Sequence, residues 1–358
     1  MRLNRALEPR LLSDGEGLEL KVMDLGATWL SCRVPLADGA PRDVLLDCAP
    51  GPQRPGYMGS TVGRYANRIA EGMLTRAGSQ WRLVRAPGER HQLHGGPGGF
   101  HVRTFEIESL QQNRICWALR SHSGDQGFPG ALTVQLEVSL PGGRTIDWRC
   151  TAQVTQASPV AVTNHAYFNL GGDKSVLGHR LQIAAHYFAP IDSDLIPLAH
   201  LRPISGTDFD FGILRVLSER WLTSEQTRLA GGYDHAFLLD PKCGDAREPA
   251  ALLWSADGRL GLSISTNAPA LQVYTGQHLG GIADARGEPL PPSAGIALEP
   301  GFLPNSPNRS DWPQASCWLE PGQIYEHRIR YRFIDSMGLD NRCHSAPDSE
   351  SASEPSLP

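Results

Sequence analysis

Thr163-Asn164-His165-Ala166-Tyr167-Phe168-Asn169-Leu170-Gly171-Gly172 follows two apolar residues in alternation, Val160 and Val162, and ends on a glycine pair. Apolar residues at a period of two that run into Gly-Gly read as a strand entering a turn, which places His165 on a stiff element at a strand end. A lone histidine beside Tyr167 and Phe168 is more often a hydrogen-bonded core residue than a proton carrier. The residues that accompany it elsewhere in the chain therefore decide its role.

The same period extends outward from this stretch. Leu18 to Val22 and Trp29 to Val34 alternate on either side of the Gly26 turn and predict two strands of a sheet with one wet face, with Asp43 to Asp47 as a third. Leu132 to Val138 predicts a strand after the turn Asp125-Gln126-Gly127-Phe128-Pro129-Gly130, and Trp148 to Val154 is expected to pair with it. Leu181 to Phe188, Tyr233 to Leu239, Leu260 to Thr266 and Tyr325 to Phe333 continue the series. The best helix is Ser218 to Gln226, with Ser218 as its cap. With 38 glycines and 28 prolines the chain favours many turns and short strands, hence an all-β fold.

A chain of 358 residues with 40% hydrophobic content can build a large core. With no internal repeat, it reads as one domain over residues 1–335 and a tail over 336–358, rich in Ser, Pro, Glu and Asp and expected to be disordered. A net charge of −5 without any Lys/Arg run gives no footprint for nucleic acid, and no apolar run approaches a membrane span. A neutral small ligand fits this balance better. The seven cysteines are scattered, without a C-x-x-C pair, and the first eight residues carry charges where a secretory leader needs an apolar core. The expected setting is cytoplasmic, as a monomer or homodimer.

Several other stretches carry polar groups of catalytic or binding type. Arg64, Asn67 and Arg68 lie within five residues in Gly63-Arg64-Tyr65-Ala66-Asn67-Arg68-Ile69 and offer forked donors suited to hydroxyl groups. His94 stands at the entrance of Leu93-His94-Gly95-Gly96-Pro97-Gly98-Gly99, whose glycine density demands backbone freedom or a close approach. The run lacks the Gly-Lys-Ser/Thr ending of a phosphate loop. Asp234 opens an apolar strand, and Gln272 projects from Ala270-Leu271-Gln272-Val273-Tyr274. Glu299 follows Ile296-Ala297-Leu298, where desolvation would raise its pKa and make it a stronger base.

Taken in order, Gly63 to Ile69, Leu93 to Gly96, Gly127 to Gly130, Asn164 to Leu170, Tyr233 to His235, Pro269 to Tyr274 and Leu298 to Pro300 resemble the aldose 1-epimerase (galactose mutarotase) family, and the resemblance runs to about Phe333. It implies a large antiparallel β-supersandwich with a shallow cleft for a free hexose such as galactose or glucose, and no cofactor. It implies Glu299 as general base and His165 as general acid, with Asn67, Arg68, His94, Asp234 and Gln272 binding the sugar. Ring opening needs one base at the C1 hydroxyl and one acid at the ring oxygen, so Glu299 is expected to start ionised and His165 protonated, with Asp234 favouring the charged imidazole. No redox step, phosphate or metal enters.

Three positions depart from the family's usual pattern: Gly301 after Glu299-Pro300, Asn305 where an acid is frequent, and Phe105 where tryptophan is common. Loss of the acid at Asn305 puts the support of Glu299 in question without removing the base, whereas Phe105 is expected to affect packing alone. Three other functions compete with mutarotation. A hexose-6-phosphate epimerase would want more cations than Arg68 at the pocket rim. A non-catalytic sugar binder predicts loss of the acid or the base, and both are present. A metalloenzyme would use His94, His165, Asp234 and Glu299, but their sequence spacing is not that of common sites.

Overall fold

The strand Leu132–Gly142 alternates buried Leu132, Val134, Leu136, Val138 and Leu140 with more exposed residues, and pairs antiparallel with Thr145–Val154, Leu136 opposite Cys150 and Val138 opposite Trp148. This pair lies within a nine-stranded antiparallel sheet running Glu106–Gln111, Arg114–Ser121, Leu132–Gly142, Thr145–Val154, Tyr325–Asp335, Leu260–Thr266, Ala251–Trp254, Arg180–Ile183 and Arg215–Val216. The structure is a computed structural model that describes residues 7–48, 51, 54–246 and 248–335. The expected tail over 336–358 lies outside the described residues.

A second, six-stranded sheet runs Tyr167–Phe168, Ile296–Gly301, Ala270–Tyr274, Asp234–Leu239, Ala185–Phe188 and Arg202–Pro203. Both sheets contribute to one apolar core: Phe168, Leu271, Val273, Ile296 and Leu298 from the smaller join Trp117, Trp148, Ile264 and Tyr331 from the larger. The Phe168 and Tyr331 rings meet at 5.7 Å across the layers. Two β-layers packed face to face through alternating side chains leave the other face of each sheet free to be dressed by loops.

Three local expectations change. Leu181 to Phe188 is two strands in different sheets, Arg180–Ile183 in the large one and Ala185–Phe188 in the small one. Ala184 marks the crossover, donating its N–H to the Ala250 carbonyl and accepting from the Asp240 N–H. The helix is shorter and later than expected, Glu225–Leu229, because Ser224 rather than Ser218 forms a reciprocal capping box with Thr227; Leu217–Arg220 is a 3-10 turn. Asp43 to Asp47 is not a full strand. The ladder with Thr28–Pro35 ends at Asp43, whose carboxylate accepts the N–H groups of Cys32 and Leu45, and beyond it Leu45 bridges Phe168 instead, with Leu46 N–H donating to the Tyr167 carbonyl.

Candidate active site

Period-two geometry on three neighbouring strands builds one wall. On Ile296–Gly301, Ile296 and Leu298 enter the core, so Ala297 and Glu299 face the opposite side. Gln272 lies directly opposite Glu299 on the next strand, and Asp234 lies opposite Tyr274 on the one after. The register therefore brings Glu299, Gln272, Tyr274 and Asp234 to a single face. Gln272 Nε2 donates to Asp234 Oδ1 at 2.6 Å, while its Oε1 is buried without a partner and is free to accept a ligand hydroxyl. His235, next to Asp234, points the other way and packs its ring on Phe209 at 4.5 Å.

His165 occupies the gap between the short strands Thr163–Asn164 and Tyr167–Phe168. Its backbone is tied on both sides: its N–H donates to the Ser60 carbonyl at 2.8 Å and its carbonyl accepts from Gly59 at 2.9 Å. Asn164 adds a side-chain hydrogen bond to the Gly59 carbonyl at 3.1 Å. This stretch thus delivers a histidine with little backbone freedom.

The opposite wall comes from loops. Asn67 and His94 both adopt left-handed backbone conformations, at φ of 70° and 51°, an uncommon state for such residues that concentrates at functional sites. They lock each other: Asn67 N–H donates to His94 Nδ1 at 3.1 Å, and His94 N–H donates to the Asn67 carbonyl at 3.2 Å. Asn67 Oδ1 accepts the Arg68 N–H at 2.7 Å, which leaves its amide NH2 to meet a ligand. Arg68 reaches Asp234 at 3.7 Å, closing the ring of polar groups.

Of the two neighbouring arginines only Arg68 joins the site. Arg64 is buried elsewhere and donates to Ser121, to the Pro129, Gly130 and His122 carbonyls, and so clamps the Asp125 to Gly130 turn. The glycines after His94 serve backbone approach rather than a ligand. A Cβ on Gly95 would fall 1.9 Å from the Gly63 carbonyl oxygen, which no side chain tolerates. Asn305 supports Arg68 rather than Glu299: its N–H donates to the Arg68 carbonyl and its Oδ1 accepts the Ala70 N–H at 3.1 Å. Phe105 is a core residue, edge-on to Phe100 at 6.1 Å.

Glu299 Oε1 and His165 Nε2 stand 3.5 Å apart, each side chain only 5% exposed. Burial pushes the Glu299 carboxyl up to about 8, with Asp234 adding to the rise and Arg68 opposing it. Burial pushes His165 down to about 4, and His101 contributes in the same direction. The pair therefore holds one proton between these limits, and in the empty site burial favours keeping it on Glu299. This differs from the expected start with ionised Glu299 and protonated His165. Asp234 also acts on Glu299, not on His165 as expected; the carboxylate beside the imidazole is Glu299 itself.

Among the described residues, His94, His165 and Glu299 bring ligand-type atoms within 4.8 Å of one another, the spacing a metal ion would need, whereas Asp234 is outside this group. The hydrogen bonding of His94 opposes that use. Its Nδ1 is an acceptor for the Asn67 N–H, so its proton resides on Nε2, and a metal would require a lone pair there. Desolvation holds His94 well below its ordinary pKa, which makes its free edge a neutral N–H donor. The constellation offers a proton-carrying pair flanked by donors and acceptors for hydroxyl groups.

No local sequence pattern marks Tyr57, whose ring lies 4.6 Å from His94, 4.7 Å from His101 and 6.0 Å from His165. It sits in a Pro/Gly loop with no periodic signal, and only the spatial convergence reveals it. A separate groove of about 680 Å³ between Tyr187, Leu201, Leu238 and Trp312 contains none of the converging groups.

The family model for aldose 1-epimerase matches residues 10–332. The aldose 1-epimerase of Escherichia coli K12 is 43% identical over 328 residues, covering 90% of this chain and 94% of that protein. The human galactose mutarotase is 33% identical over 323 residues, covering 88% and 91% respectively. Among solved structures, the GalM/aldose epimerase homologue from C. elegans superposes with a TM-score of 0.84 at 26% identity, covering 92% of this chain and 99% of that one.

Proposed function

This chain belongs to the aldose 1-epimerase family, a family of isomerases, and from that premise we propose that it interconverts the α and β anomers of free aldohexoses, D-galactose and D-glucose, by ring opening and reclosure. The observation that carries the reading is the 3.5 Å approach of Glu299 and His165 within a ring of hydroxyl-binding groups. The C1 hydroxyl and the ring oxygen are bonded to the same carbon, so the base and the acid that serve them must converge on one point. Few other placements of a carboxylate and an imidazole would suit both oxygens.

In this reading the incoming hydroxyls solvate Glu299, and its proton passes to His165. Glu299 then takes the proton of the C1 hydroxyl while His165 protonates the ring oxygen, the C1–O5 bond breaks, and C1 becomes an aldehyde. Rotation about C1–C2 presents the other face; on reclosure Glu299 gives its proton back to the C1 oxygen while His165 recovers its proton from the attacking ring hydroxyl, so the cycle balances without a cofactor. His94 Nε2–H donates to the ring region, while Arg68, Asn67, Asp234 and Gln272 hold the hydroxyls. The polar rim lets Arg68 and Asp234, the more exposed members, meet the sugar first.

The hexose-6-phosphate alternative is weaker, because Arg68 is already engaged with Asp234 and has no unpaired charge to offer a phosphate. A cytoplasmic setting is supported by the six free thiols among the described residues. Optical rotation of freshly dissolved α-D-galactose and α-D-glucose tests the reading: acceleration of the decay by the purified protein supports it, and a rate equal to buffer for both sugars removes it.

A further inference from the structure

Tyr57 has no role in the proton transfers described above, yet it touches more of the site's imidazoles than any residue that does. It stands edge-on to His94 and His101 and lies nearly parallel to His165, at an interplanar angle of 27°. Aromatic edges and faces at these separations attract one another and displace water from between them. Tyr167 closes the far side of His165, at 5.0 Å between rings.

The loop that carries Tyr57 is fastened to the His165 segment. The Tyr167 hydroxyl donates to the Gly56 carbonyl at 3.0 Å, and Ser60 N–H donates to the Tyr57 carbonyl at 2.9 Å. Gly59 and Ser60, the next residues but one, make the two backbone hydrogen bonds that flank His165. Tyr57 itself holds a left-handed backbone, φ 58°, a conformation that disfavours a bulky side chain and persists where the surroundings enforce it. Arg54, buried behind the loop, donates to the Met58 carbonyl at 2.9 Å and pairs with Asp47.

We propose that Tyr57 is a positioning residue for the acid/base pair: its ring fixes the orientation of His165 and His94 and keeps water from their edges. This rests on the mutarotase reading of the site. The groups that face His165 are Glu299 from Ile296–Gly301, His94 and His101 from the glycine-rich loop, Tyr167 from its own segment, and Tyr57; Arg68 and Asp234 act on it through Glu299. Of these, Tyr57 alone touches all three histidines without carrying a charge of its own. Its hydroxyl is not needed for the role, but its ring is.

The test compares Tyr57→Phe and Tyr57→Ala with wild type by two readouts. The first follows the imidazole resonances of the free protein against pH by NMR. It is expected to show His165 titrating at least about one pH unit higher in Tyr57→Ala, where water reaches the ring, and unchanged in Tyr57→Phe. The second is the kinetics on whichever free aldose the wild type accelerates. Tyr57→Ala is expected to lose about 10- to 100-fold in kcat with KM within about threefold, and the acid limb of its pH profile to move upward, while Tyr57→Phe stays within about threefold of wild type. A folded Tyr57→Ala with wild-type kcat and an unmoved His165 titration overturns the proposal. Should that variant not fold, Tyr57→Leu keeps the apolar bulk without the ring and must still lower kcat; wild-type kcat in it overturns the proposal equally. If the wild type accelerates no free aldose, the reaction assigned above fails, and the imidazole titration alone still decides whether Tyr57 shields His165.

Discussion

Glu299 and His165, on segments 134 positions apart in the chain, face each other at 3.5 Å with no water-exposed surface between them beyond a few per cent of either side chain. Burial drives both toward neutrality, the carboxyl up to about 8 and the imidazole down to about 4. The competent form holds a single proton on the pair. Below the lower limit both groups are protonated and no base is left; above the upper limit both are deprotonated and no acid remains. The buffer-corrected kcat/KM for mutarotation is therefore expected to be bell-shaped, with limbs near pH 4 and pH 8. A profile that keeps rising through pH 9 would show that the two groups do not share the proton.

Asp234 and Arg68 push Glu299 in opposite directions, and their removal should do the same to the alkaline limb. Asp234→Asn removes a negative neighbour, so the limb moves to lower pH; Arg68→Met removes a positive one, so it moves to higher pH. Both variants should also raise KM by about tenfold or more, since each discards a hydroxyl partner. Shifts of the same sign in the two variants would contradict the electrostatic layout.

Holding a carboxyl in a dry wall has a cost in stability whose sign is fixed. The folded pKa of Glu299 is raised, so its stabilising contribution is full below the unfolded value near 4.5 and is lost as pH rises through about 8. Glu299→Gln has no such loss. Its melting temperature at pH 8.5 should exceed that of the wild type, by an amount corresponding to on the order of 1–3 kcal/mol, with a smaller gain at pH 5. Equal or lower melting at pH 8.5 would mean that Glu299 is better solvated than its surroundings indicate.

Asn305 offers a separation of backbone from side chain. It sits at φ 59°, accepts the Ala70 N–H and the Asn308 amide through Oδ1, and donates its own N–H to the Arg68 carbonyl. Asn305→Gly keeps the left-handed backbone and loses the side-chain bonds, so stability should fall by about 1 kcal/mol, with KM raised through Arg68. Asn305→Ala adds the left-handed penalty and should cost about 1 kcal/mol more. Asn305→Asp keeps the acceptor and should leave KM near wild type. Denaturant melts with paired KM measurements distinguish the three.

The sequence announced its strands wherever one face alone was wet. Leu132–Gly142 and Thr145–Val154 follow their alternation closely, and Glu299 stood out as a carboxylate behind an apolar run. Legibility failed where two states share one pattern. Apolar residues continue through Ala184, so nothing local marks the change of sheet between Ile183 and Ala185. Ser218 and Ser224 both precede helix-compatible residues, and only Thr227 returning a hydrogen bond to Ser224 decides between them. Arg64 and Arg68 look alike on paper, yet one turns into a nest of carbonyls and the other toward Asp234. Tyr57 was invisible because its partners, His94, His101 and His165, come from distant segments and meet only in the folded chain.

The most direct test is the decay of optical rotation of freshly dissolved α-D-galactose, run with buffer, with wild type and with Glu299→Gln under the same conditions. The wild type is expected to speed equilibration and Glu299→Gln to lose about a thousandfold in kcat while remaining folded by circular dichroism. A Glu299→Gln variant that equilibrates the sugar as fast as the wild type would contradict the assignment of Glu299 to the proton transfer.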